Sequence, residues 1–246
     1  MTDETQIKGL RPYFFSFIIP AHNEEKYIEE TLRHINKLAY PTSAFEVWVI
    51  ENGSTDSTFD VAKKNAGPNT MVLSSSVKGV SKAKNFGMEK VSAGCDWIIF
   101  LDADTILTEN FLHDLNIFLR KRSAKNLAIG TTAIRPLENT GWYAKTWFRL
   151  YDMGHKFTHT SYTIQIMSAT LRNKVRFNDK LALAEDLLFI KECLPFGKFF
   201  FFETDAVLTS TRRFDQTGWF TLFIKWNWDA LMWRISKKNK EYKVVR

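Results

Sequence analysis

Residues 16–38 read SFIIPAHNEEKYIEETLRHINKL. The run Ser16–Pro20 is apolar and closed by proline. A short run that is apolar throughout predicts a strand buried on both faces, as in a parallel sheet. In Glu25–Leu38, Ile28, Leu32, Ile35 and Leu38 fall at helical spacing. That predicts a helix with Asn23 as its N-cap and acidic residues in its first turn. The unit then recurs. Phe45–Ile50 (FEVWVI) is a second strand, Gly53–Asp56 a turn, and Ser57–Asn65 a helix capped by Asp56. Thr70–Ser74 is a third strand, and Gly79–Val91 a loop and helix. Trp97–Leu101 (WIIFL) is a fourth strand, stopped by Asp102-Ala103-Asp104 and followed by a helix over Glu109–Arg122. Strands alternating with helices predict an α/β domain with a mostly parallel central sheet flanked by helices.

The second half is less regular. Leu127–Ile134, Tyr162–Leu171 and Lys198–Leu208 read as strands, and Gly141–Phe157 and Ala184–Leu194 as helices. Residues 1–12 read as a mobile tail, 13–215 as one domain, and 216–246 as a separate aromatic and basic amphipathic helix.

Composition narrows the function classes. A 45% hydrophobic chain of 246 residues is too apolar to be disordered. Two cysteines, Cys95 and Cys193, make no disulfide framework and point to a reducing, cytoplasmic setting. Met1–Leu10 has no apolar core of a signal peptide, and no apolar run reaches the ~20 residues of a membrane span. A net charge of +7 with 15% aromatics leaves nucleic acid, an anionic membrane surface or an acidic substrate open.

Three polar clusters follow buried strands: Asn23/Glu24, Glu51/Asn52 and Asp102/Asp104. In an open α/β sheet the carboxyl ends of the strands share one edge, where ligands bind, so these clusters should converge. Asp102 and Asp104, at i and i+2 after a strand, should point the same way and suit a divalent cation whose shell is completed by substrate phosphates. The segment KGVSKAKNFG (78–87) puts lysines and a helix start beside the same edge, where anions are favoured. No P-loop and no G-x-G-x-x-G occurs. Glu185-Asp186 opens a helix, either as favourable dipole partners or with one carboxylate as a general base. Arg212-Arg213 either clamps phosphate or decorates a loop. His155 and His159 lack a third ligand, so a surface or packing role is expected rather than zinc.

Taken in order, these motifs resemble family 2 glycosyltransferases, which have the GT-A fold. FSFIIPAHNEEKYIEETL is similar to the family's nucleotide-binding start, and ENGSTDST to its second-strand acidic motif. GVSKAKNFG is similar to its Ala-basic-Asn-x-Gly element, FLDAD to its D-x-D, Glu185-Asp186 to its base motif, and Thr209–Phe214 to its Ser-x-Arg-Arg-Phe segment. The resemblance implies that Pro20, Ala21 and Glu24 hold the uridine and ribose. It places Glu51 against the base, where Asp is usual, and Lys84, in place of Arg, against the nucleotide or diphosphate. Asp102 would meet the ribose or the metal, and Asp104 would ligate Mn²⁺ or Mg²⁺. Asp186 would be the general base with Glu185 alongside, and Arg212 and Arg213 would approach the diphosphate. The Gly-Gly common before Glu-Asp is replaced by NDKLALA (178–184), and the Q-x-x-R-W of processive synthases is absent.

The implied activity is metal-dependent inverting transfer of one sugar from a nucleotide-sugar, with UDP as the expected nucleotide. The implied acceptor is a saccharide or a lipid-linked saccharide. The alternatives are a nucleotidyltransferase on a similar fold, or an inactive nucleotide-sugar-binding protein. Trp219, Leu222, Phe223, Trp226, Ala230 and Trp233 recur at helical spacing among lysines and arginines. That segment either packs on the domain or lies on the inner face of the membrane as a peripheral contact. No nucleic-acid motif appears, so nucleic acid is not an expected partner.

Overall fold

The computed structural model describes residues 11–75, 78–138, 141–161, 163–181 and 185–210. The seven-stranded main sheet has the order β3-β2-β1-β4-β8-β6-β9. Its strands are β1 (Phe15–Ala21), β2 (Phe45–Asn52), β3 (Thr70–Ser75), β4 (Trp97–Leu101), β6 (Leu127–Thr132), β8 (Ile164–Ser168) and β9 (Lys198–Phe202). β1 pairs in parallel with β2 and β4, and β2 with β3. β8 is antiparallel to both neighbours, and β9 again runs parallel to β6. The sheet is therefore mostly parallel, as the alternating pattern requires.

The apolar runs are explained by two-sided burial. Phe17 and Ile19 of β1 enter a core with Ile28, Leu32 and Ile35 of α1 (Ile28–Ile35) and Leu112 and Leu115 of α4 (Phe111–Arg120). Ile18, between them, enters the core on the opposite face with Ala83 and Met88 of α3 (Val80–Lys90) and Phe189 and Ile190 of α6 (Glu185–Cys193). α2 (Thr58–Lys64) completes the first face through Ala62. α3 lies close against β1: a Cβ on Gly87 would stand 2.4 Å from Ile18 Cγ2, so the glycine there is a packing requirement.

A second sheet of three short strands has the order β5-β10-β7, with β5 (Thr105–Leu107), β7 (Arg135–Pro136) and β10 (Val207–Thr209). It corrects two expectations. Lys198–Leu208 is not one strand, because the chain turns after Phe202, where Thr204 Oγ1 accepts the Ala206 N–H at 3.1 Å. Its halves enter different sheets. Leu127–Ile134 also stops early, because the Ile134 N–H bonds Asp152 Oδ1 of α5 (Gly141–Thr158) rather than a neighbouring strand. Arg11, assigned above to a tail, makes a two-point contact with Asp96, both distances 2.8 Å. The segment 216–246 lies outside the described residues.

Candidate active site

β3, β2, β1 and β4 end on one edge of the sheet, at Ser75, Asn52, Ala21 and Leu101. β2 and β4 flank β1 on opposite sides, so the order of strands reverses at β1 and opens a crevice between β1 and β4. The loops after β1 and β2 are laced into one rim. Asn23 donates its N–H to Ser54 Oγ at 3.0 Å and accepts the Thr55 N–H at 2.7 Å. Glu24 N–H donates to Thr58 Oγ1 at 2.7 Å, and Ser57 N–H to Glu25 Oε2 at 2.9 Å. Asn23 is thus no N-cap. It holds a left-handed turn (φ 55°), and α1 begins only at Ile28, where the Glu24 carbonyl accepts the N–H groups of Tyr27 and Ile28.

Glu51, paired in register with Ala21, is buried. Its carboxylate accepts the Ser54 N–H and, at 2.6 Å, the Ser74 hydroxyl. Burial alone would raise its pKa. The hydrogen bonds from Ser74, Ser54 and Gly53 outweigh that and hold it below the usual carboxylate range. Both oxygens therefore shape the rim beside Pro20 and Ala21. Asn52 bridges strand and helix: with its amide turned to satisfy both neighbours, it donates to the Ala21 carbonyl at 2.7 Å and accepts the Gly79 N–H at 3.3 Å.

Asp102-Ala103-Asp104 is a tight turn, not a continuation of β4. The Asp102 carbonyl accepts the Thr105 N–H at 3.1 Å, and the Asp102 N–H donates to Thr163 O at 3.0 Å. Thr31 of α1 pins the turn by donating to the Ala103 carbonyl at 2.7 Å. The two-residue strand period therefore does not orient the two carboxylates; the turn does. Both aspartates are half-buried at the crevice. Among the described residues no three His, Cys, Asp or Glu side chains cluster as a complete metal shell. Two carboxylates at a turn fit a hard divalent cation whose other ligands include water and substrate phosphate.

The other wall is α3 against the start of α6. Lys84 Nζ donates to Asp186 Oδ1 at 2.6 Å, and the lysine is only 4% exposed. Burial pulls the Lys84 pKa down, but Asp186, Glu185 and Asp102 together outweigh it and leave it raised. Glu185 is pushed up, first by burial and then by the Asp186 charge, with Lys84 opposing. Lys84, expected at the nucleotide or diphosphate, places one of its three ammonium N–H groups on Asp186. The pair is open on one side: 28% of the Asp186 side chain is exposed against 5% for Lys84.

Three further residues join this wall. Lys84 Nζ stands 4.9 Å from the Phe177 ring centroid, and that ring stacks on Phe189 at 3.7 Å. Asn85 grips the Phe177 backbone, accepting its N–H and donating to its carbonyl, both at 2.9 Å. Gln165 of β8 donates to the Asp186 carbonyl at 3.2 Å. Asn85 stood in the 78–87 element and was readable as a motif position. Phe177 and Gln165 carried no local signal, because they act through long-range packing.

The histidine pair belongs to packing. His155 Nδ1 lies 2.6 Å from Thr160 Oγ1, and burial pushes its pKa down to about 4. His159 stacks on Phe199. Arg212 and Arg213 lie outside the described residues.

Comparison with known proteins agrees with this architecture. The chain is 26% identical over 182 residues to poly(ribitol-phosphate) beta-N-acetylglucosaminyltransferase TarS of Staphylococcus aureus, covering 71% of this chain and 31% of that protein. It is 30% identical over 119 residues to the minor teichoic acid biosynthesis protein GgaA of Bacillus subtilis, covering 47% of this chain and 27% of that protein. The chain thus spans about a third of the length of the curated relatives it matches. The structure of S. aureus TarS 1–349 in complex with UDP-GlcNAc superposes with a TM-score of 0.66 at 22% identity, over 80% of this chain and 58% of that one. The mannosyltransferase PcManGT of Pyrobaculum calidifontis, in complex with GDP-Man and Mn²⁺, gives 0.64 at 15% identity, over 85% and 62%. At such identities the superpositions establish the shared GT-A fold. The model of glycosyl transferase family 2 matches residues 16–181, and the chain belongs to that family.

Proposed function

We propose that this chain transfers one sugar from a UDP-sugar to an acceptor hydroxyl by inverting displacement, assisted by Mn²⁺ or Mg²⁺. The observation that carries the reading is the pairing of Asp186 with buried Lys84 on the wall facing the Asp102–Asp104 turn. Pro20, Ala21, Glu24 and Glu51 would form the uridine side of the crevice. Asp102 and Asp104 would hold the cation, and Arg212 and Arg213 would approach the diphosphate. The bound cation supplies charge stabilisation to the departing diphosphate. Asp186 accepts the proton of the attacking hydroxyl on the side of the sugar opposite the leaving group, as a base does in inverting glycoside hydrolysis.

The names of the relatives support both halves of the reading. TarS is crystallised with UDP-GlcNAc, and TarS and GgaA are named for poly(ribitol-phosphate) and teichoic acid. A cell-envelope saccharide, free or lipid-linked, is the acceptor we assign to this chain. The test is a panel of nucleotide-sugars with Mn²⁺, scored by thermal shift and by release of the nucleoside diphosphate. A panel in which no UDP-sugar shifts the protein or is turned over rejects the donor assignment.

Peripheral membrane contact through 216–246 belongs to the same proposal, resting on its aromatic and basic spacing. Among the described residues no helix is long and apolar enough to cross a membrane. In flotation with anionic vesicles the full chain is expected to float and the chain ending at residue 216 to stay at the bottom. Equal flotation of the two would remove the membrane assignment.

A further inference from the structure

We infer that Lys84 and Asn85 are positioning residues for the base and the acceptor wall, and that neither grips the donor. The inference rests on Asp186 being the base.

The two neighbours on α3 divide the task. Lys84 sends its stem through the packed face of the helix and delivers one ammonium contact to Asp186 Oδ1 at 2.6 Å. The residue is only 4% exposed. Asn85 accepts the Phe177 N–H with Oδ1 and donates through Nδ2 to Phe177 O at 2.9 Å and Asp179 Oδ1 at 2.7 Å. A side-chain amide offers two N–H groups, so both are used within the chain.

The two contacts converge on one element. Phe177, fixed by Asn85, stacks on Phe189, which lies four residues after Glu185 on α6. Residues at i and i+4 share one helix face. α3 therefore sets the start of α6 twice, by charge at Asp186 and by the aromatic stack at Phe189. A compact lysine ammonium suits a buried one-point contact. A guanidinium, with five donors in a fixed fork, would need more partners than the described residues offer here. The lysine at this position thus serves the base.

The test compares Lys84→Met, Asn85→Ala and Asp186→Asn in the full chain. UDP affinity in the presence of Mn²⁺ is measured by calorimetry, and kcat from UDP-GlcNAc hydrolysis. A displacement of about 1 Å at a reacting group can cost about 10²-fold in rate. Lys84→Met is expected to lose about that much in kcat, and Asn85→Ala about tenfold, each with a UDP Kd within about twofold of wild type. The double variant Lys84→Met/Asp186→Asn should be no slower than Asp186→Asn alone, because Lys84 acts through Asp186. A UDP Kd weakened tenfold or more at unchanged kcat would assign Lys84 to the donor and overturn the inference. Should Lys84→Met fail to fold, the same split in Asn85→Ala decides. Wild-type kcat in Asp186→Asn would instead reject the base assignment itself.

Discussion

Asp186→Asn is expected to lower turnover by about 10²–10⁴-fold, the usual contribution of a positioned general base. The substitution is nearly isosteric. The amide oxygen can still accept from Lys84 Nζ, so the 2.6 Å contact and the start of α6 should persist. What is lost is the carboxylate proposed to take the proton of the acceptor hydroxyl. UDP binding should stay within about twofold, since no donor contact is removed. The choice of Asp186 over Glu185 has a physical basis. Asp186 carries the Lys84 contact that fixes its carboxylate at 2.6 Å, whereas Glu185 lies beside it on the first turn of α6. Glu185→Gln should therefore cost much less than Asp186→Asn in the same turnover assay. Equal losses in the two variants would contradict that division.

Asp104→Ala is expected to act on the opposite wall, and on binding more than on chemistry. If Asp102 and Asp104 hold the cation, the wild-type chain should bind UDP more tightly with Mn²⁺ than with EDTA. Loss of partners outside the metal shell typically costs about 10–100-fold in metal affinity, so loss of a ligand should cost at least ~10-fold. In Asp104→Ala the gain on adding Mn²⁺ should disappear, and UDP should bind as weakly as it does to wild type in EDTA. The turn backbone is pinned by Thr105 N–H, Thr163 O and the Thr31 hydroxyl, and an unchanged thermal midpoint of Asp104→Ala checks that it survives. Calorimetric titration of UDP with and without Mn²⁺ reads this directly. An undiminished Mn²⁺ effect would move the metal site elsewhere.

The first half of the fold is legible in the sequence because each parallel strand is buried on both faces. FSFIIPA, FEVWVIEN and WIIFL can hardly be anything but interior strands, and the helices between them show one apolar face. The second half hides its organisation. β5, β7 and β10 are two or three residues long, too short for any period to show. The reversed direction of β8 is set by its partners, not by its own residues.

At the site, the convergence of Asn23, Glu51 and Asp102 on one edge follows from strand order and was foreseeable. The details were not. Asn23 has the chemistry of a cap, yet a left-handed backbone and two bonds to the neighbouring loop claim it first. Lys84 belongs to a run of lysines that reads as a solvated or anion-facing patch. Its burial and its partner 102 residues away arise only when α3 packs between β1 and α6. Long-range partners of this kind leave no trace in local spacing.

The central claim is that the chain breaks the bond between sugar and diphosphate, rather than the bond between phosphates. The direct measurement is product analysis after incubating the chain with UDP-GlcNAc and Mn²⁺, alongside a parallel reaction containing UTP and a sugar phosphate. The proposal predicts UDP from the first reaction, abolished in Asp186→Asn, and nothing from the second. Pyrophosphate from the second reaction, with no UDP from the first, would contradict it.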